Sequence, residues 1–385
     1  MSVGPAAGAP ATTGTFTALT YNVAGLPEGL SGSNPSVNTP LISPLLNVYD
    51  LVLVQEDWVD AGGVEFFHDD LIAQATHPYL TTPAPAPQGT DPRRPEALVS
   101  DGLNMLSRFP FGPVTRVMWP HCFGGIDTSD GGAADCLSQK GFFVARTTLA
   151  PGVEIDVYDL HGEAGSTALD ELFSAEDFEV LGRFITAHSA GRAVLVGGDF
   201  NLHTDRPGDR AVFDDFLAAA GLTDVCAVLD CGADADVIDK FVFRSGGGVA
   251  LEPLTHRFER ERFRRVDGEP LSDHDPLAVT WRWTRLPASV DVTLRRGGTH
   301  VPVTLPSAPG FDARAVDPRT TCFGDAEDPS QRDCTAEKVR ERKGDLVLRF
   351  DRAEAGIDLD DTIACLTFAL ESGGLYETCD AVRSK

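Results

Sequence analysis

The stretch Ala193-Val-Leu-Val-Gly-Gly-Asp-Phe-Asn201 decides the fold. An apolar run of β-favouring residues stops at two glycines and an acid, the pattern of a buried strand that ends in a polar loop. Working outward, the same pattern recurs in FTALTYNV (16–23), YDLVLVQE (49–56), GFFVARTTL (141–149), EIDVYDLH (154–161) and PLAVTWRW (276–283). Between these strands lie helical patterns. Ser174 to Asp177 reads as a capping box opening a helix whose Phe178, Leu181 and Ile185 share one face, with Gly191 as its stop. A second helix carries Val212, Phe213, Phe216 and Leu217 and ends at Gly221. Alternating strands and helices predict one α/β unit over residues 15–284.

Beyond Leu286-Pro287 the helical periodicity stops. SVDVTLRR, THVPVTL, GDLVLRFD and TIACLTFAL read as short strands between turns, so residues 287–385 are expected to form a small β-sandwich. Its acidic run Asp358, Asp360, Asp361 is expected to be a solvated turn rather than a calcium site. The proline-rich segment Thr81 to Pro95 is expected to be an exposed, mobile loop. Residues 1–14 are small and flexible, with neither a charged region nor an apolar one, and read as a mature N-terminus behind an added Met.

Thirty-two Lys and Arg against 58 Asp and Glu leave a net charge of −26, which opposes approach to a polyanion and provides no broad basic footprint for a duplex. No run of about eighteen apolar residues occurs, so no membrane-spanning helix is expected. The eight cysteines fall into four neighbouring pairs, Cys122 with Cys136, Cys226 with Cys231, Cys322 with Cys334 and Cys365 with Cys379. Such pairing suggests disulfides and an oxidising, extracellular compartment. The connectivity stays open; none of the pairs has zinc-site spacing.

Polar residues stand at the ends of the apolar strands in a fixed order. Asn22, Glu56, His161, Asp199 with Asn201, and Asp273-His274 each sit where a strand ends or is about to begin. In a layered α/β domain such ends converge on one rim, where ligands bind. Carboxylates, carboxamides and histidines gathered there suit a hard divalent cation and the phosphate it polarises. Taken singly, each has a plainer explanation as a loop opener, and Ser-Asp-His-Asp reads equally as a helix cap; the joint order carries the inference.

Through TYNVAGLP, LVLVQEDW, VGGDFNLH, DVIDKFVFRS and LSDHDPLAV, residues 16 to 283 resemble the endonuclease/exonuclease/phosphatase superfamily, which includes deoxyribonucleases, abasic-site endonucleases, inositol polyphosphate phosphatases and bacterial sphingomyelinases. The resemblance implies a four-layer αββα sandwich of the deoxyribonuclease type. By it, Glu56 is the principal magnesium ligand, helped by Asn22, with Asp273 near the metal or a bridging water. Calcium, manganese and cobalt are the other cations such a site admits. The resemblance also makes His274 the general base, oriented by Asp239, with Asp199 positioning the nucleophile or the transition state. His161 then donates to a phosphoryl oxygen and Asn201 contacts the phosphate. One departure weakens the role of His161: relatives place Leu and a polar residue after that histidine, whereas here Gly162-Glu163-Ala164-Gly165 follows.

The segment from Cys122 to Phe143 resembles the small-residue-rich stretch before Lys-Gly-Phe in bacterial sphingomyelinases, which would bring Lys140 to the phosphate; a solvated lysine at a strand start is the plainer reading. With the acidity and the expected secretion, the resemblance favours a phospholipase C acting on sphingomyelin or a related phospholipid at a membrane surface, through peripheral contact and as a monomer. Met118, Trp119 and Phe123 are candidates for membrane contact that read equally as core. The alternatives are an extracellular nuclease, whose phosphate contacts would be Arg257, Arg260, Arg262, Arg264 and Arg265, and a catalytically inert binding module. The alternation of those arginines with Glu259, Glu261 and Asp267 favours a salt-bridged surface loop over a nucleic-acid contact.

Overall fold

In the computed structural model, the described residues run from 13 to 384 apart from short stretches at 29, 61, 88–90, 128, 130, 286–289, 295–297, 308–310, 327–330, 359 and 371–374. The chain runs β1 (Thr13–Asn22), α1 (Pro35–Leu45), β2 (Leu51–Gln55), α2 (His68–Ile72), β3 (Tyr79–Leu80), β4 (Asn104–Ser107), β5 (Phe111–Met118), β6 (Gly141–Ala150) and β7 (Val153–His161). It continues through α3 (Ala168–His188), β8 (Val194–Asp199), α4 (Pro207–Ala220), β9 (Thr223–Asp224), α5 (Val225–Val228), β10 (Asp239–Arg244), β11 (Val249–Phe258) and β12 (Leu277–Arg285). These strands make two six-stranded sheets, ordered β11-β12-β1-β2-β4-β3 and β5-β6-β7-β8-β10-β9.

Strand periodicity explains why the sheets stack. Successive side chains point to opposite faces. On β1, Phe16 and Ala18 join a central core while Leu19 and Tyr21 join another. On β8, Leu195 enters the central core while Val194 and Val196 face the other way. The central core joins the inner faces of both sheets: Leu51 and Leu53 from one, Phe143, Val157 and Phe241 from the other. The outer face of the first sheet is covered by Ile42 of α1 and Leu71 of α2; that of the second by Phe178, Leu181 and Ile185 of α3 with Phe213 and Phe216 of α4. The result is the expected four-layer αββα sandwich.

One helix start differs from the sequence reading. The capping box is Thr167 with Asp170, each side chain bonded to the other's backbone N–H, so α3 opens at Ala168. Ser174 and Asp177 lie in its buried interior, because the earlier Thr-x-x-Asp satisfies the free N–H groups first. The second helix is as read, closed by Gly221 at φ 62°.

The remaining strands, β13 (Asp291–Leu294), β14 (His300–Leu305), β15 (Val316–Asp325), β16 (Arg332–Asp333), β17 (Lys338–Arg342), β18 (Asp345–Asp351), β19 (Ile363–Leu370) and β20 (Leu375–Ser384), form one eight-stranded sheet. It folds over a separate apolar core, so that Phe323 on β15 stacks on Phe350 of β18 at 5.3 Å. The boundary expected at Leu286-Pro287 and most of the N-terminal segment lie outside the described residues. Asp358 and Asp361 close a turn, the Asp358 N–H donating to the Asp361 carboxylate.

All four neighbouring cysteine pairs form disulfides. The segment 81–95 is only partly an exposed loop: Arg94 is 1% exposed and anchors its end inside the protein.

Candidate active site

Sheet register brings the strand-end residues together. In the second sheet β7 runs parallel to β8, with His161 opposite Asp199, and β10 runs antiparallel to β8, with Asp239 opposite Asp199. Three polar residues from distant parts of the chain therefore sit abreast on one edge. In the first sheet β1 pairs with β2 so that Asn22 faces Gln55, and Glu56 follows immediately. Asp273 and His274 precede β12, the other neighbour of β1. Gly162 is needed for this convergence, since a Cβ there would lie 2.4 Å from the Phe200 carbonyl oxygen.

Asp199 is the hub. Its Oδ2 accepts from the Asn22 amide at 3.2 Å and lies 3.5 Å from His161 Nε2 and 3.6 Å from His274 Nε2. Its Oδ1 accepts from the backbone N–H of Asn201 at 3.0 Å. His274 is held from behind, Nδ1 donating to Asp239 Oδ2 at 2.9 Å. This is an imidazole whose tautomer and direction are fixed by a carboxylate, as a general base requires.

The electrostatics divide the two histidines. Burial, with the charge of Lys140, pushes the His161 imidazole well below its usual range, so it is neutral at pH 7. Burial also opposes charge on His274, but Asp239 and Asp199 outweigh it and push the imidazole up to about 11. Burial raises the Glu56 carboxyl, and only partly does the Asn22 amide counter this. Burial would likewise lift Asp199, but the charges of His274 and Lys140, with the Asn22 hydrogen bond, hold it below the ordinary range.

Asn22 bridges the carboxylates of the site. Its Nδ2 donates to Glu56 Oε1 at 3.0 Å as well as to Asp199, while its Oδ1 accepts from the Ala24 N–H. It stands between the two carboxylates and ties the sheets together across the site. Asp273 is exposed on the rim, its Oδ1 accepting from Ser272. Asn201 lines the cavity and its Nδ2 donates to the Gly162 carbonyl at 3.1 Å. The donor set fits a hard divalent cation: the Glu56 carboxylate, which accepts from the Asn22 amide, and the buried Asp199 carboxylate that the same amide bridges to it gather oxygen ligands in one place.

Lys140 is buried rather than solvated. Its Nζ lies 2.5 Å from Asp135 Oδ1 and donates to the Gly162 carbonyl. Burial alone would lower its pKa, yet Asp135 and Glu163 raise it, so it stays charged. Asp135 belongs to the segment closed by the Cys122–Cys136 disulfide, and Arg94, also buried, ion-pairs with Glu163. Glu56, Lys140, His161, Asp199, Asn201 and His274 line one cavity of about 300 Å³, with Leu26, Trp58, Val99, Ala133 and Leu137 as its apolar wall. Trp119 is fully buried and is not a membrane contact; its indole N–H donates to the His161 carbonyl and supports that residue.

Sequence reasoning missed Asp135, Arg94 and the wall. Asp135 could have been suspected from its place beside Cys136; nothing local marked Arg94. The arginines proposed for a nuclease are engaged elsewhere: Arg257 and Arg262 with Glu259, Arg260 with Asp234 and Asp275, Arg265 with Asp267, and Arg264 with the Gly268 carbonyl.

No protein-family model matches the chain. Over 289 residues it is 33% identical to the curated sphingomyelinases of Mycobacterium bovis and Mycobacterium tuberculosis, covering 70% of this chain and 53% of theirs. The chain thus spans about half the length of the curated relatives it matches. Among solved structures it is similar to beta toxin from Staphylococcus aureus, with TM-score 0.49 and 18% identity, covering 69% of this chain and 99% of that one. It is also similar to an endonuclease/exonuclease/phosphatase protein from Beutenbergia cavernae, with TM-score 0.49 and 14% identity, covering 95% and 99%. With the strand-end motifs and the αββα sandwich they build, this sequence identity makes the chain a relative of the curated sphingomyelinases on the endonuclease/exonuclease/phosphatase fold.

Proposed function

We propose that the chain is a divalent-cation-dependent phosphodiesterase that hydrolyses the headgroup ester of a phospholipid, in the manner of a sphingomyelinase C, and that it works outside the cell. The observation that carries the reading is the meeting of two imidazoles and a carboxamide on Asp199 Oδ2, with His274 backed by Asp239. His274 Nε2 takes the proton of the attacking water while Asp239 holds Nδ1. Neutral His161 and the charged Lys140 offer hydrogen bonds to the phosphoryl oxygens, and Asn201 orients the phosphate. A hard divalent cation held by Glu56, magnesium first among them, would neutralise charge on the phosphate and on the carboxylates that otherwise keep a proton on His274.

Two features favour a lipid over a nucleic acid. The cavity has an apolar wall, and the loops that build it carry exposed aliphatic side chains: Leu30, Leu98 and Ile126 are 75%, 61% and 71% exposed. Apolar tips around a phosphodiesterase site suit peripheral contact with a bilayer. The net charge of −26 and the paired arginines disfavour a duplex. The four disulfides support an extracellular setting.

Hydrolysis of bis-p-nitrophenyl phosphate tests the chemistry. Turnover is expected with magnesium and is expected to vanish in excess chelator and in Glu56→Gln. Undiminished turnover in chelator would remove the cation from the mechanism; no turnover under any condition would support an inert binding module.

A further inference from the structure

Four of the five non-glycine residues with positive φ among the described residues, Ala24, Glu56, Ala134 and Asn201, lie in or beside the site. Left-handed backbone in such residues costs energy and persists only where the surroundings enforce it. Glu56, at φ 58°, is the one that carries a proposed cation ligand. Its side chain can face Asn22 only because the chain turns sharply after β2, so whatever enforces that turn sets the direction of the carboxylate.

The enforcing contacts centre on the next residue. The Asp57 N–H donates to the Gly102 carbonyl at 2.9 Å. The Asn104 Nδ2 donates to both the Asp57 carbonyl and Asp57 Oδ2, each at 2.9 Å. His68 Nδ1 donates to the same Oδ2 at 2.7 Å. The Thr81 hydroxyl donates to Asn104 Oδ1, which fixes the amide with its nitrogen toward Asp57. Asp57 and Asn104 are each 3% exposed and His68 9%. On the other side the Glu56 carbonyl accepts from the Gly25 N–H at 3.2 Å. The Glu56–Asp57 peptide is thus gripped from both flanks by groups that line no part of the cavity.

We infer that Asp57, Asn104 and His68 form a positioning clamp that holds Glu56 in its strained conformation and so sets the cation affinity of the site. The inference rests on the reading of Glu56 as the cation ligand. None of the three touches substrate; they act through the backbone of their neighbour, as outer-shell partners of ligating carboxylates do. A set of buried ties serving stability alone would lower the melting temperature and leave cation affinity unchanged.

The test is a manganese titration of the whole chain, read from the electron paramagnetic resonance signal of the free ion, with melting temperatures measured in parallel. Asn104→Leu and His68→Phe are expected to weaken binding by roughly 10–100-fold, and His68→Asn, whose amide keeps a donor at the Nδ1 position, by much less. Rates at saturating manganese should return toward wild type. Glu56→Gln separates the two readings. If it binds manganese as the wild type does, the assignment of Glu56 as ligand fails; if it loses binding while Asn104→Leu and His68→Phe bind normally, the clamp fails. Should Asn104→Leu not melt cooperatively, the His68→Phe and His68→Asn pair decides alone, and equal affinity in both would overturn the inference.

Discussion

Asp177 should make the protein less stable as pH rises. It is fully buried in the middle of α3, and neither carboxyl oxygen has a hydrogen-bond partner among the described residues. Burial, with the neighbouring charge of Glu163, pushes its pKa up to about 10. An acid whose folded pKa lies above its unfolded value of about 3.9 binds a proton on folding, so its contribution is neutral below pH 4 and grows more destabilising up to pH 10. Each pH unit costs about 1.4 kcal/mol, giving a ceiling of about 4 kcal/mol at pH 7. Asp177→Asn substitutes a neutral group of the same shape. Denaturant unfolding of both proteins at pH 4, 5, 6 and 7 should show a stability difference near zero at pH 4 that widens in favour of the variant. A difference independent of pH would show that folding leaves the Asp177 pKa unshifted, and a variant less stable at pH 7 that its carboxylate is ionised and paired; either would refute the reasoning.

His274→Ala should lower turnover beyond the roughly 10²–10⁴ of a lone general base, since it also strands buried Asp239, while circular dichroism stays native; activity within about tenfold of wild type would move the base to His161. Replacing both Cys122 and Cys136 by Ser should cost about 3 kcal/mol, by the closure of a loop of this length, and should raise KM more than it lowers kcat, because the loop walls the cavity. An unchanged KM would detach that loop from substrate binding. Full reduction of the four disulfides should lower the melting temperature further, and mass spectrometry of an unreduced digest should return the four neighbouring pairs.

Much of the α/β domain was legible because its determinants are local. A period of two along each strand marks which residues face which layer, and a polar residue at the end or just before the start of an apolar run marks the rim where Asn22, Glu56, His161, Asp199 and His274 line up. What the sequence concealed depends on contacts between distant segments. Arg94 lies in a proline-rich stretch that looks like an exposed loop, and its guanidinium is buried only because Glu163 and the carbonyls of Asp135 and Ser138 surround it. Asp57 in the turn after β2, His68 on α2 and Asn104 on β4 come from separate parts of the chain and share no motif. The misplaced start of α3 has the same origin in reverse: Ser174 to Asp177 satisfies the local pattern of a cap, but Thr167 and Asp170 satisfy it about two turns earlier. The direction of the Asn22 amide, toward Glu56 and Asp199, likewise follows from the meeting of the two sheets, which no strand-end residue announces by itself.

The central claim is tested most directly by the ratio of initial rates on sphingomyelin vesicles and on duplex DNA, measured with magnesium at equal ionic strength and with Glu56→Gln as the blank. The account predicts release of phosphorylated headgroup from the vesicles, abolished in the blank, at a rate well above any nicking of DNA. Efficient DNA cleavage that the blank loses, with no headgroup released, would contradict it.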